Sequence, residues 1–307
     1  MLDSSNFNFG NKTVGIVAHD AGAANHLIAW IVKGRFKEVN LKLSFHGPAL
    51  AIAKITLSEY LAHSIEELTS TCSVIIVGTG WQTDIEYKAI NIARDKSIVV
   101  ITVLDHWTNF RQRFSRNKTE VLPNYLWVVD EYAKAIAAAD IAEIPLSVMP
   151  NDYLDSQVEL VNSYETQLSG NKKILFLMEP IRDQWGQLSV EGEIQSFNYF
   201  IENIKLLSIQ GFIEIIIRPH PSDNLGKYSH LLMTNDALSV GISFDTDLAE
   251  QLAWADFVIG CQTYAMVIAL SVNKTVISAI PASKPKCILP HSGIIHLSNL
   301  VENHEIL

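Results

Sequence analysis

The chain has 307 residues, 48% of them hydrophobic and 18% charged, with a formal charge of −10. That length and apolar content support a large core and two domains of ordinary size, and argue against disorder. The negative balance argues against a nucleic-acid-binding surface, although Arg111, Arg113, Arg116 and Lys118 could still form a local basic pocket.

Met1 to Gly10 is polar, with no basic region leading into an apolar stretch. No apolar run reaches the length of a membrane span, so a cytoplasmic protein without an integral membrane segment is expected. Thr13 to Ala18 then reads as a strand, Ala23 to Val32 as a helix and Leu41 to Phe45 as a second strand. Cys72 to Val77 is a third strand, followed by a Gly-Thr-Gly turn and a helix over Asp84 to Arg94. Ser97 to Leu104 and Tyr125 to Val129 are further strands, and Glu131 to Ala139 is a helix. Such alternation predicts a parallel sheet covered by helices.

Between Ile144 and Gly170 the pattern weakens into linker chemistry around one polar helix, with Pro145, Pro150, Asn151, Asp152, Ser169 and Gly170. It restarts with a strand over Lys173 to Met178, an amphipathic helix over Glu191 to Ile209 and a strand over Ile213 to Arg218. Asp245 to Trp254 reads as helix, Phe257 to Ile259 as strand, Tyr264 to Leu270 as helix and Thr275 to Ser278 as strand. The expected fold class is α/β, with two Rossmann-like domains, 1–165 and 166–307, facing a central cleft.

In open α/β sheets ligands bind beyond the carboxyl ends of the strands. Arg218-Pro219-His220-Pro221 follows an isoleucine-rich strand that the prolines must stop. It therefore delivers a cation and an imidazole, both suited to phosphate, to that edge. Gly260-Cys261-Gln262-Thr263 is a strand-to-helix turn of the kind that receives anions, or else Thr263 is a plain helix cap. Glu179 ends a neighbouring strand, where its carboxylate could meet a ribose or sugar hydroxyl. In the first half, His19-Asp20-Ala21-Gly22, Gly78-Thr79-Gly80 with Asp84 and Glu86 behind it, and Asp105-His106-Trp107 all follow strands. Acids at a helix start can be there for the dipole alone. An Asp-His-Trp triplet at a strand end is harder to account for structurally, because an ionised carboxylate buried without partners is costly.

Cys72, Cys261 and Cys287 lie far apart without paired metal-ligand spacing, and the histidines show no zinc pattern. Asp245-Thr246-Asp247 reads as a helix cap. Neither a metal nor a cofactor is expected.

The runs Ile217-Arg218-Pro219-His220-Pro221-Ser222-Asp223, Ala255-Asp256-Phe257-Val258-Ile259-Gly260 and Asn273-Lys274-Thr275-Val276-Ile277-Ser278 resemble the donor domain of GT-B glycosyltransferases. The likeness is to bacterial enzymes of surface polysaccharide biosynthesis, of sialyltransferase-like, Kdo-transferase-like and polyol-phosphate-transferase-like type. Pro150-Asn151-Asp152-Tyr153-Leu154-Asp155 resembles the stretch that leads such chains from one domain to the next. The resemblance implies His220 on the donor's nucleotide phosphate, with Pro221 shaping the loop and Gln262 and Thr263 standing where the sialyltransferase-like branch has a serine pair.

The expected activity is metal-independent sugar transfer from a nucleotide-activated donor, with a CMP-linked acidic sugar as one candidate, to a glycan or lipid-linked acceptor. Asp105 is the first candidate base, with Asp20 and Asp84 behind it. Arg218, His220, Pro221, Gln262, Thr263 and Glu179 are the donor-side candidates, and His19, Gly22, Glu86 and His106 the acceptor-side ones. A homo-oligomer is compatible with this reading. The alternatives are a non-hydrolysing nucleotide-sugar epimerase, a polyol-phosphate transferase and a non-catalytic nucleotide-binding protein of the same fold.

Overall fold

Runs rich in Val, Ile and Leu form the strands, because parallel sheets are covered on both faces and tolerate unbroken apolar sequence. The computed structural model describes residues 7, 9–37, 39–165, 170–181, 185, 190–224, 226–243 and 246–307. Met1 to Asn6 and Asn8 of the polar amino terminus, Ser169 of the expected linker and Asp245 of the expected cap lie outside them. The chain divides into two compact units, Met1–Ser156 and Gln157–Leu307.

In unit 1 the order is β1 (Thr13–Ala18), α1 (Ala21–Val32), β2 (Asn40–Phe45), α2 (Gly47–Thr56), α3 (Ile65–Thr71), β3 (Val74–Val77) and α4 (Ile85–Asp95). It continues with β4 (Val99–Leu104), the hairpin β5 (Ser115–Arg116) and β6 (Thr119–Glu120), β7 (Tyr125–Val128), α5 (Glu131–Asp140), β8 (Leu146–Val148) and α6 (Asp152–Asn162), inside which the division falls. Six parallel strands make one sheet in the order β2-β1-β3-β4-β7-β8. Helix α2 begins at Gly47-Pro48, which punctuates like a loop in sequence, yet proline is well placed in a first helical turn. Under the sheet, Phe7 packs against Trp30, Phe36 and Trp127 at ring distances of 5.3, 5.0 and 4.8 Å. The exit of the unit is tied down beside this cluster: Trp30 Nε1 donates to the Pro150 carbonyl, and Arg35 grips the buried Asp152 carboxylate with two N–H groups.

In unit 2 the order is β9 (Lys172–Leu177), α7 (Gly192–Asn203), β10 (Ile213–Arg218), β11 (Met233–Thr234), β12 (Leu238–Ile242), α8 (Leu248–Trp254), β13 (Phe257–Gly260), α9 (Tyr264–Ser271), β14 (Thr275–Ser278), β15 (Ile294–His296) and α10 (Leu297–Asn303). The sheet runs β11-β12-β10-β9-β13-β14-β15, parallel except for the edge strand β11. Helix α7 is shorter than its sequence pattern: it passes into a 3-10 turn, Ile204–Leu207, and Ser208 takes a left-handed φ of 50°. Phe176, Phe197 and Phe200 centre a second core, separate from the first. Asp247 accepts from the Ala249 amide and caps α8, as the acid pair predicts.

Candidate functional site

Each sheet reverses its winding next to its first strand, and each reversal brings non-neighbouring loops together. In unit 2 the loops after β10, β9 and β13 end side by side, with Arg218 in register with Leu177 and Ile259 with Phe176. The loop after β10 is braced from below. Asp223 Oδ2 accepts from the His220 amide at 3.0 Å and the Tyr228 hydroxyl at 2.8 Å, and Oδ1 from Lys227 at 3.2 Å. Burial opposes ionisation of Asp223, but these donors together bring its carboxyl below the usual range.

The same loop fixes the tautomer of His220. The Ser222 amide lies 3.2 Å from its Nδ1, and an N–H can only donate, so Nδ1 carries the lone pair. Ser222 Oγ, 2.8 Å away, then donates to it as well. The neutral ring therefore carries its proton on Nε2, and His220 is exposed. Pro219 is buried and Pro221 exposed, so the two prolines flank this imidazole from opposite environments.

Arg218 does something other than the sequence suggests. Its Nη1 donates to the Thr246 carbonyl at 2.6 Å and to Gln251 Oε1 at 2.5 Å, which makes it an anchor between β10 and α8. Across the reversal, the Gln262 amide donates to Glu179 Oε2 at 2.9 Å, and Gln262 Oε1 accepts from the Ile288 amide at 3.3 Å. Burial pushes the Glu179 carboxyl up to about 7; the Gln262 hydrogen bond opposes this and the nearby Glu193 adds to it. Thr263 occupies the N-cap position of α9 with extended backbone, but its side chain makes no capping bond. The plain-cap reading of Thr263 is therefore incomplete: the hydroxyl sits at a helix start without serving it.

In unit 1 the reversal lies between β1 and β3, and Glu86 closes it. Glu86 is 1% exposed; Oε1 accepts from the His19 amide at 3.0 Å, and Oε2 from the Gly80 amide. A Cβ on Gly78 or Gly80 would come within 2.3 or 2.4 Å of its oxygens, which is why the turn reads Gly-Thr-Gly. Burial, then the nearby charges of Asp20 and Asp105, outweigh these two hydrogen bonds and push the Glu86 carboxyl up to about 7.

His19 Nδ1 lies 2.6 Å from Asp20 Oδ1, and Asp20 Oδ2 accepts from the Trp81 amide at 3.0 Å. With the carboxylate as acceptor, Nδ1 carries the proton and the lone pair falls on Nε2. Asp105 is held in place by other groups: Oδ1 is 3.5 Å from Thr79 Oγ1 and 3.6 Å from Arg113 Nη1. Its Oδ2 lies against Gly22 in the first turn of α1, 1.8 Å from where a Cβ would be. His106 is drawn down by burial. His26, buried in α1, is drawn down to about 4 for the same reason.

Asp84 stands apart, its side chain 57% exposed and paired with Arg116 at 3.1 Å without capping α4. The basic cluster forms no open pocket. Arg111 pairs with Glu120 and Glu143, Arg113 donates to the Thr79 carbonyl, and Arg116 to the Gly80 carbonyl. Sequence reasoning missed Trp81 and His26, and saw Arg113 only as part of a basic cluster; Asp223, three residues after His220, carried a readable turn signal. Among the described residues no group of three or more metal-ligating side chains comes together, and no helix is long and apolar enough to cross a membrane.

No family model matches the chain, and no curated protein matches it. Solved structures do. A protein assigned as a UDP-N-acetylglucosamine 2-epimerase from Listeria monocytogenes aligns over 96% of this chain and 87% of its own, at 13% identity and a TM-score of 0.64. The UDP-GlcNAc 2-epimerase of Neisseria meningitidis, bound to UDP-GlcNAc, aligns over 95% and 90% at 13% identity with a TM-score of 0.64. The fold is GT-B. Anabaena Alr3699/HepE in complex with UDP is similar over 95% and 90% of the two chains, at 11% identity and a TM-score of 0.53. At such identities the likeness is one of GT-B architecture, two Rossmann-like domains, and the chemistry rests on this chain's own residues.

Proposed function

We propose that the protein is a glycosyltransferase using a nucleotide-activated sugar. Unit 2 binds the donor phosphates, and unit 1 supplies the group that deprotonates the acceptor. The observation that carries the reading is the placement of His220, its Nδ1 engaged by Ser222, on the sheet edge shared with Thr263 and the start of α9. Donors so placed stabilise charge building on a leaving phosphate. The donor set accounts for that stabilisation without a metal or cofactor.

In unit 1 the His19–Asp20 pair supersedes Asp105 as the first candidate base. An imidazole whose Nδ1–H is engaged by a carboxylate offers the Nε2 lone pair to a hydroxyl proton. Asp105, between Arg113, Thr79 and the first turn of α1, is better placed to hold the shape of the site. A UDP-linked sugar joins a CMP-linked acidic sugar as candidate donor, since the Neisseria epimerase was solved with UDP-GlcNAc and HepE with UDP. A glycan or lipid-linked acceptor, polysaccharide biosynthesis, a cytoplasmic setting and a homo-oligomer belong to the same reading.

A thermal-shift screen of CMP, CDP, UDP, GDP and their sugars tests it. A ligand at a hundred times its Kd stabilises by about 2.7 kcal/mol. At least one nucleotide is expected to raise Tm, and His220→Ala to abolish the rise. No shift with any nucleotide, or an equal shift in the variant, overturns the assignment.

A second reading, a non-hydrolysing nucleotide-sugar epimerase, is favoured by Glu86, which accepts from the His19 amide and whose carboxyl is pushed up to about 7 by burial. Proton shuttling needs a group of that kind. NMR in deuterated water separates the two. An epimerase exchanges a sugar C–H for deuterium with no acceptor present, and a transferase does not.

A further inference from the structure

Trp81 is the exposed tryptophan among the described residues, at 49%. Trp30, Trp107, Trp127 and Trp185 are buried and Trp254 is half-buried. An indole left in water gives up a large apolar area, so one that is rigidly mounted beside polar chemistry calls for a ligand. The mounting is visible. The Trp81 amide donates to Asp20 Oδ2 at 3.0 Å, and the Arg113 guanidinium lies 5.6 Å from the ring centroid. Arg113 is itself fixed by the Thr79 carbonyl at 2.9 Å and the Thr108 carbonyl at 3.4 Å, with only 10% of its side chain exposed.

We propose that Trp81 is a stacking platform for a saccharide ring, one that rests on the reading of unit 1 as the acceptor side. A pyranose presents a face of C–H groups, and the negative face of an indole attracts their partial positive charge. Around the platform the polar groups are acceptors: the Asp20 carboxylate, one fifth exposed, and the imidazole it orients. Hydroxyls on the rim of a sugar would donate to them. Asp20 and Asp105 make the surroundings acidic, and among the described residues the one cation over the indole, Arg113, is already held by carbonyls and Asp105. A phosphate is repelled there, whereas a neutral, hydroxyl-rich ring is not. The platform therefore selects for a glycan and against the nucleotide end of the donor.

Saturation-transfer NMR tests the proposal with methyl β-glucoside, methyl β-galactoside and methyl N-acetyl-β-glucosaminide as probes, and ribitol as a control without a ring. The full chain is expected to transfer magnetisation to the C–H face of at least one pyranoside. Trp81→Ala should weaken that binding by about tenfold, and Trp81→Phe should keep part of it because a phenyl face still stacks. An unchanged thermal midpoint for the variants excludes misfolding as the cause of a loss.

Three results overturn it: no transfer to any pyranoside from the wild type, transfer unchanged in Trp81→Ala, or CMP and UMP binding that depends on Trp81 instead. The nucleotide shift read through His220 is independent of Trp81. A lasting nucleotide shift with no pyranoside binding removes this inference alone, and the reverse pattern removes the donor assignment alone.

Discussion

Glu86 and Glu179 each keep in the folded protein a proton that an unfolded chain releases at about 4.5, since burial pushes both carboxyls up to about 7. The folded state binds the proton more tightly. This contribution to stability is thus fully present below about 4.5 and is lost as pH rises through about 7. Buried histidines such as His26, drawn down to about 4, act in the opposite direction, so the whole-protein profile mixes both signs. A substitution isolates one. Glu179→Gln retains an acceptor for the Gln262 amide and removes the titration. In urea unfolding the variant should gain on the wild type, by on the order of 2 kcal/mol, between pH 5 and pH 8. A difference that is the same at both pH values would show that Glu179 is not held near neutrality. At this scale the sequence shows which residues stand at strand ends, because prolines and glycines punctuate there. It does not show what they bind. Arg218 looks like a phosphate ligand until its own partners, Thr246 and Gln251, arrive from 28 and 33 residues away.

Between elements, Gly22 and Asp105 give a contact whose sign can be measured. Alanine is favoured over glycine inside a helix by about 1 kcal/mol, so Gly22→Ala should stabilise α1 on its own. In this protein the new Cβ would meet the Asp105 carboxylate at 1.8 Å, and Thr79 and Arg113 hold that short side chain in place. Gly22→Ala is expected to destabilise the wild type by about 1–3 kcal/mol and to be neutral or stabilising in an Asp105→Ala background. Additivity in that double-mutant cycle would refute the close approach. The elements most readable in sequence were strands such as β10, β13 and β14, where runs rich in Ile and Val sit between turn residues. Strand β12, Leu-Ser-Val-Gly-Ile, was not readable: a serine and a glycine interrupt it, and its pairing with β10 and β11 supplies what its sequence lacks.

Across the molecule the two units have separate cores, and unit 2 carries its own electrostatic keystone. Lys227 donates to Glu193 at 2.5 Å and lies 2.7 Å from Glu191 and 3.2 Å from Asp223, with Glu193 fully buried. Burial opposes the charge, but the hydrogen bonds to Glu191 and Glu193 raise the Lys227 ammonium above its ordinary range. Lys227→Met leaves the Glu193 charge buried and should cost about 3–5 kcal/mol, a large share of a domain's total stability. Lys227→Met with Glu193→Gln should recover part of the loss in calorimetry, and no recovery would mean that lost packing, not charge, was responsible. The global charge of −10 could not show that the arginines after β4 are paired inside unit 1.

The glutamate bridges at the two reversals also have a kinetic consequence. His19 and Glu86 are 67 residues apart in the chain, and Glu179 and Gln262 are 83 apart. Loops of that length close slowly, and the entropy of closing them is lost before the contact is made. Each reversal can form only after its last strand has returned to lie beside the first, so both candidate sites should be among the latest parts of their units to assemble. In pulsed hydrogen exchange during refolding, the amides of His19, Gly80 and Gln262 should gain protection after those of the strands that carry them.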